Sequence, residues 1–174
     1  MAQVILSIGT NLGNRFYNLL YALELLNSQV GTIEKISKIY ETEPWGFDTD
    51  KWFFNIAVLL ETNFSPFSLL DKVKNIEKKI GRTTKTKKGQ GYESRLIDID
   101  IIFFEQKIIK TTELSIPHPL MHKRNFVLYP LIDIAPDFEH PLLNCTVKHL
   151  VNQSNDKTLI KVLHKSILSE SNFS

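Results

Sequence analysis

The run Arg95-Leu-Ile-Asp-Ile-Asp-Ile-Ile-Phe-Phe104 sets two carboxylates inside what otherwise reads as a buried strand. Side chains on a strand alternate faces, so Asp98 and Asp100 point one way and Ile97, Ile99 and Ile101 the other. With a rise of ~3.3 Å per residue the two aspartates stand about 7 Å apart at their Cα atoms. Their oxygens can converge on a hard cation, or on a metal pair about 3.5–4 Å apart. Left bare against an apolar sheet they would repel each other and be costly to desolvate. A fold that holds this strand must put positive charge in front of it.

The rest of the chain supplies the partners of that strand. Gln3 to Ile8 reads as a short buried strand ended by Gly9-Thr-Asn-Leu-Gly13. Asn14 can cap a helix to about Ser28 with Phe16, Leu19, Leu20, Leu23 and Leu26 on one stripe. Ile33 to Thr42 reads as one strand, Glu43 to Asp50 as a loop, and Trp52 to Thr62 as the antiparallel return. Ser65 and Pro66 start a second helix, as N-cap and first-turn proline, and Gly81 stops it. Arg82 to Ser94, almost without apolar residues, reads as a mobile loop. The order β-α-β-β-α-β predicts an α+β fold: a ferredoxin-like core with an antiparallel sheet, helices on one face, and a C-terminal extension. After Pro117-His118-Pro119 a short helix is expected through Phe126, Leu128 and Leu131. With no linker or repeat, one domain over residues 1–174 is expected, with its core at about 3–140 and the extension at about 141–174.

A length of 174 residues suits one well-cored domain, and 43% apolar with 23% charged residues is ordinary for a globular protein. A net charge of +2 argues for neither nucleic acid nor membrane as partner. The single Cys145 excludes an internal disulfide and any Cys-based zinc site. No signal peptide and no membrane-length apolar run are evident, so a cytoplasmic protein is expected.

The loop before the aspartate strand holds Arg82, Lys85, Lys87, Lys88 and Arg95, with Glu93 as its acid. A basic run is ordinarily just a solvated surface. Here it leads straight into paired carboxylates, and acids that hold Mg²⁺ beside mobile Arg and Lys are what phosphoryl transfer requires. Guanidinium binds phosphate bidentately, which favours Arg82 and Arg95 over the lysines. The chain has no Walker A loop, so any nucleotide is held outside a P-loop fold. His118, fixed between two prolines, and Arg124 could hold further phosphate. Trp45 sits in a loop, where a large aromatic serves as a stacking surface more often than as packing. Asn55, inside an apolar strand, must find a partner for its amide, in a flat heterocycle or a nearby polar group.

These residues resemble the 6-hydroxymethyl-7,8-dihydropterin pyrophosphokinase family of folate biosynthesis. The resemblance rests on Ile8-Gly-Thr-Asn-Leu12, Tyr40-Glu-Thr-Glu-Pro44, Phe54-Asn-Ile-Ala-Val58, Glu77 with Gly81-Arg82, Arg95-x-x-Asp98-x-Asp100, and Ile116-Pro-His118 with Arg124-x-Phe126. It implies transfer of the β,γ-pyrophosphoryl unit of ATP to the hydroxymethyl group of the pterin, with release of AMP. It implies two Mg²⁺ ions on Asp98 and Asp100, and catalysis by Arg82, Arg95 and Asp98. It places the pterin between Phe53 and Phe126, with Asn55, Thr42, Pro44 and Trp45 at the ring edges. It assigns ATP contacts to Glu77, Arg82, Lys85, Arg95, Ile101, Ser115, His118 and Arg124, and it suggests a monomer.

Departures from the family pattern fall around the nucleotide. Tyr92-Glu-Ser94 stands where an aromatic followed by Gly-Pro is common, Thr84 and Glu113 where arginine is common, and Lys74 where a neutral amide is common. Two other readings fit a ferredoxin-like sheet with aromatics and a basic loop: an RRM-like RNA-binding module, and an inactive nucleotide-binding domain. Against the first, the RRM aromatic motif is missing and acids on an RNA-facing strand would repel phosphate.

Overall fold

A computed structural model describes residues 1–45, 50–81, 96–163 and 167. The sheet is built around β1 (Ala2–Thr10), which pairs antiparallel with β4 (Phe53–Thr62) on one side and with β5 (Asp98–Phe104) on the other. Between β1 and β4 lie α1 (Arg15–Gln29), β2 (Thr32–Ile36) and β3 (Ile39–Thr42), and α2 (Pro66–Ile80) joins β4 towards β5. This is the β-α-β-β-α-β order expected from the sequence once β2 and β3 are taken as two pieces of one strand. The caps act as read: the Asn14 side chain accepts the Tyr17 N–H at 3.0 Å, and Ser65 Oγ accepts the Ser68 N–H at 3.2 Å. Gly81 ends α2 at φ 123°, a conformation closed to most residues.

The strand expected over Ile33–Thr42 is divided. Three residues, Ser37 to Ile39, span the two positions Ile56 and Ala57 of β4, so β2 and β3 pair with different stretches of that strand. Ser37 closes the break, since its N–H donates to the Ala57 carbonyl and its Oγ accepts the Ala57 N–H, each at 2.9 Å. The C-terminal extension is less separate than the sequence suggests. After α3 (Asn125–Ile134) and α4 (Val147–Gln153), strand β8 (Ile160–Leu163) joins the sheet beside β3. A short hairpin of β6 (Ile109–Lys110) and β7 (Ser115–Ile116) follows β5.

The two faces of the sheet carry different loads. Val4, Leu6 and Ile8 of β1, Ile56, Val58 and Leu60 of β4, and Ile99 and Ile101 of β5 pack against Leu19, Leu23 and Leu26 of α1 and Leu69, Val73 and Ile76 of α2. Ile97 joins the same core, as the alternation around the aspartates requires. The opposite face is apolar only at one end. There Ile5, Ala57, Ile102 and Phe103 meet Val127, Leu128 and Leu131 of α3 and Val147 and Leu150 of α4. Helices thus cover both faces, two from the ferredoxin-like unit on one and two later ones on the other. A bulge makes this possible: Leu6 pairs with Ile101 but Ile5 with Phe103, so Ile102 and Phe103 both turn to the second face.

Leu96 fixes the chain just before the aspartates. Its carbonyl accepts from Thr10 Oγ1 at 2.5 Å and from Asn18 Nδ2 at 3.1 Å. Asn18 Nδ2 also reaches the Leu12 carbonyl at 2.9 Å. A Cβ at Gly81 would come within 2.9 Å of the Leu96 side chain, so the end of α2 and the start of β5 touch. The expected loop 82–94, with Arg82 and Lys85, and Arg95 after it, lie outside the described residues.

His140 is buried at the base of α4, its ring edge against Phe103 and its Nδ1 accepting the Leu142 and Leu143 N–H groups at 3.2 and 3.3 Å. Burial first, and then neighbouring His122, hold its pKa below the ordinary 6.5. Above that value folded and unfolded chains are both neutral here. Below it the unfolded chain takes up the proton first, so stability falls as pH drops from 6.5 through the folded value. His140→Asn keeps an acceptor without a titrating ring. Urea midpoints at about pH 7.5 and about pH 5 should therefore fall less for this variant than for the wild type. An equal fall would contradict the assignment.

Candidate functional site

At the other end of the second sheet face the apolar residues give way to polar ones. Register places Gly9 between Asn55 and Asp98, and Ser7 between Ala57 and Asp100. Ser7, Gly9, Asn55, Asp98 and Asp100 form the floor of a slot of about 500 Å³, counted out to its solvent mouth. Its walls are Thr42 at the end of β3, Glu43 and Trp45 after it, Phe53 at the start of β4, and Arg124 and Phe126 at the start of α3. Asn55 is buried, and its Nδ2 donates to Thr42 Oγ1 at 2.7 Å. A Cβ at Gly9 would stand 2.9 Å from Asn55 Oδ1, so only glycine leaves the amide where it is. A slot with aromatic walls and a positioned amide suits a flat heterocycle with polar edges.

Arg124 is only 3% exposed. Its guanidinium carbon lies 4.8 Å from the Trp45 ring centroid and 5.8 Å from that of Phe126. Burial pushes its pKa down to about 10, which still leaves it charged at neutral pH. The aromatic faces offset part of the cost of burying that cation.

A second opening of about 620 Å³ lies across β5 from the slot. It is lined by Ile99, Asp100 and Ile101, by the turn from Thr111 to Ser115, and by His118. Asp100 lines both openings. The backbone of His118 is tied to β5, its N–H donating to the Ile102 carbonyl at 3.1 Å. Burial lowers the imidazole pKa and the nearby Asp98 carboxylate pulls it back up. Among the described residues no three His, Cys, Asp or Glu side chains gather as a metal cage. Two aspartates with open positions for water and phosphate are instead the donor set that Mg²⁺ takes.

Of the expected pterin contacts, Thr42, Trp45, Phe53, Asn55 and Phe126 line the slot and Pro44 does not. Asp98 and Asp100 open onto it side by side. Of the expected ATP contacts, Ile101, Ser115 and His118 share the second opening, with the departure Glu113 beside them, and Arg124 stands in the slot instead. Glu77 is 5% exposed, and its Oε1 accepts the Ile99 N–H at 2.8 Å. Arg82, Lys85 and Arg95 are outside the described residues. Sequence reasoning missed Ser7 and Gly9 as lining residues. Gly9 was readable only as the end of a strand, because its role depends on which residues register puts beside it.

A sequence profile for 7,8-dihydro-6-hydroxymethylpterin-pyrophosphokinase matches residues 5–136. The chain is 37% identical over 163 residues to the 2-amino-4-hydroxy-6-hydroxymethyldihydropteridine pyrophosphokinase of Aquifex aeolicus, covering 94% of this chain and 99% of that one. It is 44% identical over 142 residues to the enzyme of the same name from Porphyromonas gingivalis, covering 81% and 95%. Among solved structures, wild-type Plasmodium falciparum HPPK-DHPS with pteroate superposes at a TM-score of 0.70 and 21% identity. That likeness, over 87% of this chain and 44% of the longer one, concerns the fold alone.

Glu77 caps the outer edge of β5, since Ile99 meets β1 on its other side. Glu77→Ala should lower stability by about 1.5–3 kcal/mol, the worth of a hydrogen bond to a charged group. Glu77→Gln keeps the acceptor and should recover most of it. An unchanged urea midpoint in the alanine variant would contradict this edge role.

Proposed function

The chain belongs to the 7,8-dihydro-6-hydroxymethylpterin-pyrophosphokinase family, an enzyme family of folate biosynthesis that uses ATP as co-substrate, and we propose that its slot takes the reduced pterin while the opening beyond Asp100 takes ATP. The observation that carries this reading is the position of Asp100, which lines both openings. A group that passes from one ligand to the other must cross at such a residue.

In this reading the pterin ring lies between Phe53 and Phe126, and Asn55, held by Thr42, meets its amide-like edge. The hydroxymethyl group then points at Asp98 and Asp100. Its oxygen forms a bond to the β-phosphorus of ATP while the bond from that phosphorus to the α,β-bridging oxygen breaks. AMP leaves, and the hydroxyl proton departs towards the carboxylate side of the site. Asp98 faces the hydroxyl, and Asp98 with Asp100 would hold Mg²⁺, two ions by the family resemblance. Mg²⁺ held by the two carboxylates would neutralise phosphate charge and orient the triphosphate. Ile101, Ser115 and His118 position the nucleotide, and a neutral imidazole at His118 can still donate to a phosphate oxygen. Arg82 and Arg95, with Lys85, are the proposed cations for charge that develops in transfer; Arg95 is three residues from Asp98 along the chain. Arg124, set between Trp45 and Phe126, adds positive charge to the slot wall.

We take the enzyme to work as a single domain, a monomer in the cytoplasm, with small-molecule partners only. Strand β8 supports the single domain by adding residues 160–163 to the main sheet. No helix among the described residues is long and apolar enough to cross a membrane. The RNA-binding alternative gains nothing from the family match.

The primary test is AMP release from ATP, Mg²⁺ and hydroxymethyldihydropterin. Asp98→Ala and Asp100→Ala should each lower turnover by about 10²–10³-fold or more, as loss of electrostatic stabilisation does, with the fold intact by circular dichroism. Near wild-type turnover in both would sink the metal assignment. Gly9→Ala tests the slot. It should raise the pterin KM about tenfold by displacing Asn55, with little change in the KM for ATP. Equal rises in both constants would argue against a pterin-specific floor.

A further inference from the structure

We propose that the C-terminal segment from Asp156 to Lys161 is a positioning element for the slot: Asp156 sets the wall that bears Arg124 and Phe126, and Leu159 sets the wall that begins at Glu43. This rests on the slot being the pterin site. The segment lies beyond residue 136, where the family match ends. No slot-lining residue comes from it, yet it bonds the lining residue Glu43 and Asn125, which lies between the lining residues Arg124 and Phe126.

Helix α3 starts at Asn125, between Arg124 and Phe126, and its N-cap position is Arg124, whose side chain makes no capping hydrogen bond. A helix start needs an acceptor for its first N–H groups. Here Asp156, 31 residues away, supplies it: Oδ2 accepts the Asn125 N–H at 2.8 Å, and the Asp156 carbonyl accepts from Asn125 Nδ2 at 2.8 Å. A carboxylate at that end also suits the helix dipole. Asp156 is itself held, its Oδ1 accepting the Thr158 N–H at 3.0 Å and the Thr158 hydroxyl. The carboxylate therefore has one orientation, and through Asn125 it orients the residues on either side.

The second contact is with the opposite wall. Strand β8 pairs with β3 up to Thr42 opposite Ile160. One residue further, the Leu159 N–H donates to Glu43 Oε2 at 3.0 Å and the Glu43 N–H donates to the Leu159 carbonyl at 3.1 Å. A third contact lies at the foot of the same loop. Lys161 Nζ is 4.7 Å from the Trp52 ring centroid, next to slot residue Phe53, and Arg15 holds the Trp52 carbonyl from the other side at 2.7 Å. One short segment thus ties together chain regions more than 70 residues apart that face each other across the slot. Its loss loosens the spacing between Trp45 and Phe126 without touching the floor or the opening beyond Asp100.

The test compares Asp156→Ala and Asp156→Asn with Thr62→Val. The last removes a buried bond from Thr62 Oγ1 to the Val30 carbonyl, 2.7 Å long, at the far end of β4. Affinity for the reduced pterin is measured by fluorescence with a non-hydrolysable ATP analogue present, and affinity for the analogue is measured alone. Asp156→Ala should weaken pterin binding about tenfold and Asp156→Asn, which keeps the acceptor oxygen, about threefold, with analogue affinity within about twofold. Thr62→Val should lower Tm and leave pterin affinity unchanged, which separates positioning from general stability. If Asp156→Ala does not fold, the asparagine variant decides by the same comparison. Unchanged pterin affinity in the folded Asp156 variants overturns the proposal, and so does a parallel fall in pterin and analogue affinity. A wild-type protein that binds the analogue but no pterin overturns the slot reading itself; wild-type binding with unaltered Asp156 variants overturns only the brace.

Discussion

The pairing register of β1 is the constraint from which the site follows. With Gly9 opposite Asn55 on one side and Asp98 on the other, Ser7, Gly9, Asn55, Asp98 and Asp100 share one face of three adjacent strands. A slip of one residue by β5 would turn both aspartates into the core beneath α1 and α2 and expose Ile99 and Ile101. Two carboxylates among Leu19, Leu23 and Val73 would be far too costly to keep, so the hydrophobic core itself holds the charges at the slot. Glu77 bonding the Ile99 N–H and the bulge at Ile102 reinforce the same register from the edge and from the far end of β5.

The floor of the slot is thus rigid sheet, whereas its walls are irregular chain tied down at points. Asn11 Nδ2 donates to the Lys51 carbonyl at 3.2 Å, and Arg15 donates to both the Trp52 carbonyl and Glu41 Oε1. From the other side Leu159 holds Glu43, and Asp156 holds the start of α3. Such ties let loops carry ligand contacts on a stiff frame without themselves being regular structure. The Arg15 guanidinium also lies 3.8 Å over the Phe54 ring, so a single side chain fixes the start of α1, β3 and the entry to β4.

Much of this was legible in the residues, and what was not has physical causes. The alternation of Asp98 and Asp100 with Ile97, Ile99 and Ile101 is a local rule, and the side chains obey it. The caps at Asn14, Ser65 and Gly81 are local too. The break at Ser37 was hidden because Ile33 to Tyr40 is apolar enough for one strand, and only the count against β4 shows the extra residue. Strand β8 is only four residues long, Ile160 to Leu163, too short for a periodic signal, so its place depends on β3 offering an edge. Glu77 is a ligand contact by resemblance, and the hydrogen bond its carboxylate makes to the backbone of β5 carried no local sequence signal. Ser7 and Gly9 carry no chemical signal of their own, and their part in the site exists only through their neighbours across the sheet.

The double membership of Asp100 has a consequence for how such a site can change. Most residues of the slot line one opening. Asp100 lines two, so under the proposed assignment of pterin and ATP a substitution there is filtered from both sides at once. Variation should therefore gather in the outer walls, at positions such as Glu43, Glu113 and Thr112. The shared strip of β5 becomes an evolutionary bottleneck, one through which two binding surfaces must pass together.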